Sequence, residues 1–468
     1  MRESLSGNFS ERIVRFIIIV IITIGIVYIL PKEVIVIWSI ILLFYYYRSK
    51  DEAFWLAFFL VTTDGFMGFL GTYSVAIRLF PGLPAIELAQ FYVVLSILKS
   101  IQKKEYSFIF YKKYIIVLFC YVLFMIFWGQ LMGFSGDLNV YFRVVKLTFP
   151  LLLFYSIPRL FHDINSYKRF FGFIFIVLIL AFFTQIFTLI TGLSPAGTIH
   201  ITEEQLAEAG GVRIFINPAA TLLGLFGALF FLSIKIKRNF NVFYLYILII
   251  SAFGMAYLSS GRGWTISFAI IIFLSLFFNQ KINFRRILGF SVVLTMFILL
   301  GLANPKIQKQ SDFTIKRLTT MKEFVAGDVT AGGTLERVSE RSPRVMKKWA
   351  EQPIFGWGFS DEFFKFNDGH VGNQNILLFS GIVGFILLIG FLILFCYKLF
   401  IRNIKLSRTV FNKNAYLVFI YMFLGWFFLH SSGAQQFSYY GLPLQIIPQV
   451  VFFSFGALLY AKPSELSK

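Results

Sequence analysis

The chain has 468 residues, of which 58% are hydrophobic and only 14% charged, and its formal net charge is +20. Soluble domains carry about a quarter charged residues, so composition excludes a water-facing globule. At this length it points to one membrane-embedded helical bundle rather than about three soluble domains. The two cysteines, Cys120 and Cys396, both fall inside apolar runs, which excludes a disulfide framework or a cysteine metal site.

In chain order, apolar runs predict spans near 13–31, 34–47, 53–70, 85–99, 114–131, 142–157, 169–190, 218–234, 242–258, 264–278, 287–303, 373–397, 415–430 and 442–460. That makes about fourteen transmembrane helices in an all-α polytopic membrane protein. The first run lacks a small-residue cleavage site and more runs follow it, so it is expected to remain a span rather than be cleaved as a leader. Arg143 and Lys146 stand in the first turn of the run at 142–157. The organisation expected is spans one to eleven over 1–303, a long external loop over 304–372, and spans twelve to fourteen over 373–468. Inside the loop, Ser342 before Pro343 predicts an N-cap with proline at the first helical position. The segment closes in a Gly-Trp-Gly turn at 356–358. No internal repeat relates the two halves.

Most of the basic excess sits in short segments between apolar runs, where it reads as a topology signal and not as an invitation to nucleic acid. With the N-terminus inside, those segments fall on the cytoplasmic side. The 304–372 loop is too long to count in the rule. Both termini are therefore expected in the cytoplasm, with 191–217 and 304–372 on the external face of a bacterial inner membrane.

Ionisable residues at the external mouths of apolar spans ask for a functional reading. The candidates are Asp64, Glu87, Arg143, Lys146, Arg213, Arg262 and His430. Arg213, in GGVRIFINP, and Arg262, in SSGRGW, stand out because glycines flank both. A planar, permanently charged guanidinium suits bidentate binding of phosphate oxygens, and the glycines let backbone approach a bulky anion. The bland alternative is an interfacial arginine that snorkels to headgroups. His370, where the long loop re-enters the bilayer, titrates near neutral pH and can take a proton from a sugar hydroxyl. Asp368 lies close enough in sequence to orient it. His162 and His200 have no such context. The run Arg337, Arg341, Arg344, Lys347 and Lys348 reads as a solvated or headgroup-facing side, or as a lure for an anionic lipid-linked substrate. No HExxH, cysteine–histidine cluster or Walker loop occurs, which argues against zinc or ATP hydrolysis.

Three segments together resemble a family. VRIFINPAATLLG at 212–224 is similar to its arginine-to-Asn-Pro opening of a span, and LSSGRGWTISFAI at 258–270 to its Ser–x–Arg–Gly opening of another. PIFGWGFS at 353–360, then His370, with Gly381 and Gly384 eleven and fourteen residues on, is similar to its histidine and Gly–x–x–Gly segment. The chain thus resembles the O-antigen ligase and O-antigen polymerase superfamily of bacterial membrane glycosyltransferases over about 205–390, a likeness that also implies a GT-C type architecture.

The resemblance implies a donor glycan carried on undecaprenyl pyrophosphate, with its tail in the lipid bilayer and its sugar beneath the 304–372 loop. Arg213 and Arg262 would hold the pyrophosphate, and His370 would be the catalytic base. Asp368, Arg337, Arg341 and Asn217 would support them. Pyrophosphate leaves readily, so neither a metal nor any other cofactor is expected. Within the family Val371 favours a polymerase of O-antigen, capsule or exopolysaccharide repeat units over a ligase that transfers glycan to lipid A core or protein. Partners would be the lipid-linked donor, a glycan or lipid-linked acceptor and a chain-length regulator. A flippase for the same lipid-linked oligosaccharides is the alternative of another class, although such transporters usually show repeat-related halves.

Overall fold

The computed structural model describes residues 4–63, 76–77, 86–103, 109–192, 214–234, 240–278, 291–292, 295, 301, 303–320, 337–406, 414–433 and 435–464. Among these the chain is helical apart from one two-residue antiparallel ladder, β1 (Ala76–Ile77) against β2 (Ile86–Glu87), which pairs Ala76 with Glu87 and Ile77 with Ile86. The first helices are α1 (Ser4–Ile29), α2 (Lys32–Arg48), α3 (Glu52–Thr63), α4 (Leu88–Ser100) and α5 (Ile109–Leu131). Next come α6 (Leu138–Thr148), α7 (Leu153–Leu160), α8 (Ile164–Thr191), α9 (Pro218–Ser233), α10 (Val242–Leu258) and α11 (Arg262–Phe273). The 304–372 segment contributes α12 (Pro305–Thr319), α13 (Ser342–Trp349) and α14 (Asp361–Phe366), and the chain closes with α15 (Gly372–Leu406), α16 (Asn414–Ser432) and α17 (Pro443–Ala461).

Among the described residues, six stretches are long and apolar enough to cross a membrane: 110–131, 138–160, 164–191, 372–405, 414–432 and 443–461. Five shorter apolar helices accompany them. Helices occupy thirteen of the runs read as spans. The fourteenth, over 287–303, lies almost wholly outside the described residues.

Two local expectations change. The run at 142–157 is not one α-helix but α6, a 3₁₀ turn at Phe149–Leu152 and α7. Pro150, with no N–H to donate, sits in that turn. Ser342 does not cap α13: a π-type turn over Arg337–Arg341 runs directly into the helix, so Ser342 is already its first residue.

The core is aromatic. Phe226 meets Phe419 at 4.9 Å between ring centroids and Phe452 at 5.5 Å, and Phe230 meets Phe455 at 4.8 Å. These edge-on and tilted contacts join α9, α16 and α17. Without a hydrophobic drive between helices in lipid, such packing and small-residue contacts hold a bundle together. Gly425 lets α16 ride against Ser267 and Ile271 of α11, where a Cβ would collide with the Ser267 carbonyl. Polar anchors add register: Tyr167 Oη donates to Ser454 Oγ at 2.9 Å, and Ser96 Oγ to Ser156 Oγ at 2.8 Å.

Candidate functional site

The segment PIFGWGFS is built to mend a broken helix. Gly381 (φ 60°, ψ −170°) interrupts α15 nine residues from its start, which orphans the backbone groups around it. The upstream segment supplies the partners. Trp357 N–H donates to Leu378 O at 2.8 Å and Gly358 N–H to Phe379 O at 2.9 Å. In return Ile382 N–H donates to Pro353 O and Val383 N–H to Ile354 O. Tyr121 Oη donates to Ser380 O and Tyr439 Oη to Gly384 O, each at 2.7 Å. The glycines of both motifs follow from this docking: Gly356 and Gly358 have φ of 67° and 53°, and a Cβ on Gly381 would strike the Ile354 carbonyl.

Immediately before α15 lies His370, on the exposed side of the turn. Its backbone N–H donates to Asp368 Oδ1 at 2.9 Å. The Asp368 carboxylate is buried and also meets two loop arginines, Arg344 Nη2 at 3.2 Å and Arg341 Nη1 at 3.8 Å. Asp368 thus fixes the main chain at His370 and ties it to α13. Behind it, Asp368 N–H donates to Asn375 Oδ1, and the Asn375 amide donates to Gln435 and to Tyr440 Oη.

The SSGRGW segment forms the turn from α10 to α11. Ser260 there is left-handed, at φ 54°, and Arg262 opens α11 with Gly261 as N-cap. The buried polar face of α12 holds this turn. Gln310 Nε2 donates to Leu258 O at 2.8 Å and to Ser260 Oγ at 2.9 Å. Thr314 Oγ1 lies 2.9 Å from Ser260 Oγ and donates to Tyr257 O at 3.1 Å.

Arg213 lies outside the described residues, as do Asp64 and His200. The chain just after Arg213 is well placed: Ile216 N–H donates to Gln185 Oε1, and Gln185 Nε2 donates on to Met255 O. Asn217 is left-handed (φ 49°) and buried, and neither amide atom finds a hydrogen-bond partner among the described residues. Among the described residues Asn217 and Ser260 are the non-glycine positions with positive φ. Such strain gathers at functional sites, and both lie in the segments singled out by sequence.

These segments meet. Phe215, two residues past Arg213, packs edge-on against Trp264, two residues past Arg262, at 4.9 Å. A Cβ at Gly263 would stand 3.3 Å from Leu429 Cδ1 and 3.4 Å from Ser432 Oγ at the end of α16. On the other flank of that end, Gly372 N–H donates to Gly433 O and Gln435 N–H to Gly369 O. The Arg262 and His370 turns therefore flank one end of α16, and the segment after Arg213 adjoins the first of them.

The remaining candidates have structural duties. His430 Nδ1 accepts from the N–H groups of Gln436 at 3.0 Å and Phe437 at 3.3 Å, so it folds the chain after α16 back on itself. The ring proton then belongs on the buried Nε2, which has no acceptor among the described residues. Arg143 lies over the Phe364 ring at 4.8 Å. The Lys146 carbonyl accepts from Gln90 Nε2, and the side chain of Glu87 is not among the described groups. Arg341 is half-exposed; Arg337 opens the π-type turn.

Sequence reasoning missed Gln310, Thr314 and Asn375. Gln310 and Thr314 recur at helical spacing with Ile307 on the buried face of α12, a polar stripe hidden among the many charges of the loop. Asn375 gave no local signal. No group of three histidine, cysteine or acidic side chains that could hold a metal occurs among the described residues. No family model matches this chain, and no curated protein matches it.

Proposed function

We propose that the protein is a membrane glycosyltransferase of bacterial inner membranes, with about fourteen spans, both termini cytoplasmic and a GT-C type build. It polymerises undecaprenyl-pyrophosphate-linked oligosaccharide repeat units on the external face. One observation carries the reading. The turn of Arg262 and the turn of His370 flank the same end of α16, and the chain after Arg213 packs on the first of them. Motifs scattered over the sequence thus have neighbouring scaffolds.

In this mechanism Arg213 and Arg262 hold the pyrophosphate and offset the negative charge that grows as the C1–O bond breaks. His370 takes the proton of the acceptor hydroxyl while its oxygen attacks C1 from the opposite face, giving inversion. The broken bond's electron pair leaves with the pyrophosphate, which needs no protonating acid and no metal. Asp368 fixes the histidine's main chain through the N–H it accepts. Losing Arg262 is expected to cost roughly 2.7–4 kcal/mol of transition-state stabilisation, by analogy with removal of one oxyanion-hole donor.

Cells carrying Arg262→Ala or His370→Ala are expected to accumulate single lipid-linked repeat units exposed outside the membrane. Polymer of normal length and amount in both would overturn the assignment. Units trapped on the cytoplasmic face would identify a flippase instead, and normal polymerisation with failed transfer to a final acceptor would identify a ligase.

A further inference from the structure

We infer that Gln310 and Thr314, on the inner face of α12, are positioning residues for Arg262, acting by holding Ser260 in its left-handed conformation. The inference rests on the reading of Arg262 as a pyrophosphate ligand. Ser260 is two residues before Arg262, so its backbone angles set the direction in which α11 leaves the turn. A left-handed conformation is unfavourable for serine, because Cβ crowds the following carbonyl oxygen. Something must hold it.

The holding groups can be read off proton by proton. Gln310 Nε2 gives hydrogens to Leu258 O and Ser260 Oγ. Thr314 has a single hydroxyl hydrogen. Tyr257 O lies 3.1 Å from Thr314 Oγ1 and has only acceptor sites to offer. Gln310 O, 3.0 Å from the same hydroxyl, likewise only accepts; with that hydrogen given to either carbonyl, Ser260 Oγ–H donates across the 2.9 Å gap to Thr314 Oγ1. The result is a network that joins Gln310, Ser260 and Thr314 to the last residues of α10. All three side chains are at most 3% exposed, so water does not substitute for any member. Tyr257 Oη pairs in addition with Ser311 Oγ at 2.7 Å. On the far side of the turn, Thr265 Oγ1 donates to Ala256 O and Thr265 N–H to Gly261 O. The turn is thereby gripped from both flanks; Ser260 N–H donates to Tyr257 O at 3.0 Å, and the Ser260 side chain is held from α12. A segment of the external loop thus governs a membrane-mouth arginine without touching the lipid-linked substrate.

The test uses full-length protein in detergent and undecaprenyl pyrophosphate, without glycan, as the probe. Gln310→Leu and Thr314→Val remove the network with little change of volume, and Thr314→Ser keeps the hydroxyl. Ser260→Gly combined with Gln310→Leu offers a residue that is left-handed at no steric cost. Monodisperse elution is required of each variant. Arg262→Ala is expected to weaken binding by roughly tenfold to a hundredfold, as for loss of a charged hydrogen-bonding partner. Gln310→Leu and Thr314→Val are expected to weaken it several-fold, Thr314→Ser to leave it unchanged, and the glycine double variant to recover most of the loss. General loosening of the fold would not be repaired by glycine. If Arg262→Ala binds like the wild type, the pyrophosphate reading fails and this inference falls with it. If Arg262→Ala weakens binding while Gln310→Leu and Thr314→Val do not, or if the glycine double variant recovers nothing, the positioning role alone is overturned.

Discussion

Gly381 combines two constraints that only glycine satisfies. Its φ and ψ lie in a region visited almost only by glycine, and the Ile354 carbonyl occupies the place of a Cβ. Gly381→Ala is expected to cost at least about 1–3 kcal/mol from backbone strain alone, seen as a clear fall in the thermal midpoint of purified protein. The spacing of Gly381 and Gly384 from His370 was legible in the sequence as a motif. Its reason was not, because the carbonyl that excludes a side chain arrives from Ile354, more than twenty positions upstream. His430 shows the opposite failure. Its place at the end of an apolar run suggested chemistry, but its Nδ1 is committed to two backbone N–H groups. His430→Asn, whose side-chain oxygen can take the place of Nδ1, should be tolerated better than His430→Leu; equal loss of folded protein in both would contradict that role.

Among elements, the short helices α13 and α14 are clamped to the mended break through Lys348. Its ammonium lies 2.7 Å from Glu351 Oε2, 2.6 Å from Glu362 Oε2 and 4.0 Å above the Trp357 ring. The hydrogen bond and charge of Lys348 hold the Glu362 carboxyl below its ordinary range. A carboxyl depressed on folding stabilises the loop at any pH above its unfolded value, near 4.3, and that contribution disappears as pH falls through the lower folded value. Cleavage by an acid-active protease around 353–366 should therefore rise below about pH 4 in the wild type and already be raised in Lys348→Met. A flat profile would show that the clamp is immaterial. Tyr121→Phe and Tyr439→Phe each strip a donor from a buried carbonyl of the break and are expected to cost roughly 1–3 kcal/mol, read as a lowered thermal midpoint. Helix existence was legible because apolar runs are long and turn signals punctuate them. The division of 142–157 into α6 and α7 turned on one missing N–H at Pro150, and the true start of α13 on a π-type turn. Neither feature alters hydropathy.

For the whole molecule, the charge pattern makes a sided prediction. With the N-terminus inside, a cysteine at Glu351, an exposed position past α13, should react with a membrane-impermeant maleimide in intact cells. One at Lys50, exposed between α2 and α3, should react only after permeabilisation. The reverse pattern would invert the topology and remove the site from the outside. The native thiols do not confuse the readout, since Cys396 is buried and Cys120 lies mid-helix in an apolar stretch. The mended break in α15 bears also on how the protein is made. Its carbonyls at Leu378 and Phe379 are satisfied by a segment translated some twenty residues earlier, and bare backbone is not tolerated in hydrocarbon. During biogenesis α15 cannot be released sideways into lipid as an independent span. It must wait in a protected, hydrated place until the tryptophan turn has come back to meet it, so docking of that upstream segment and insertion of α15 are one coupled event.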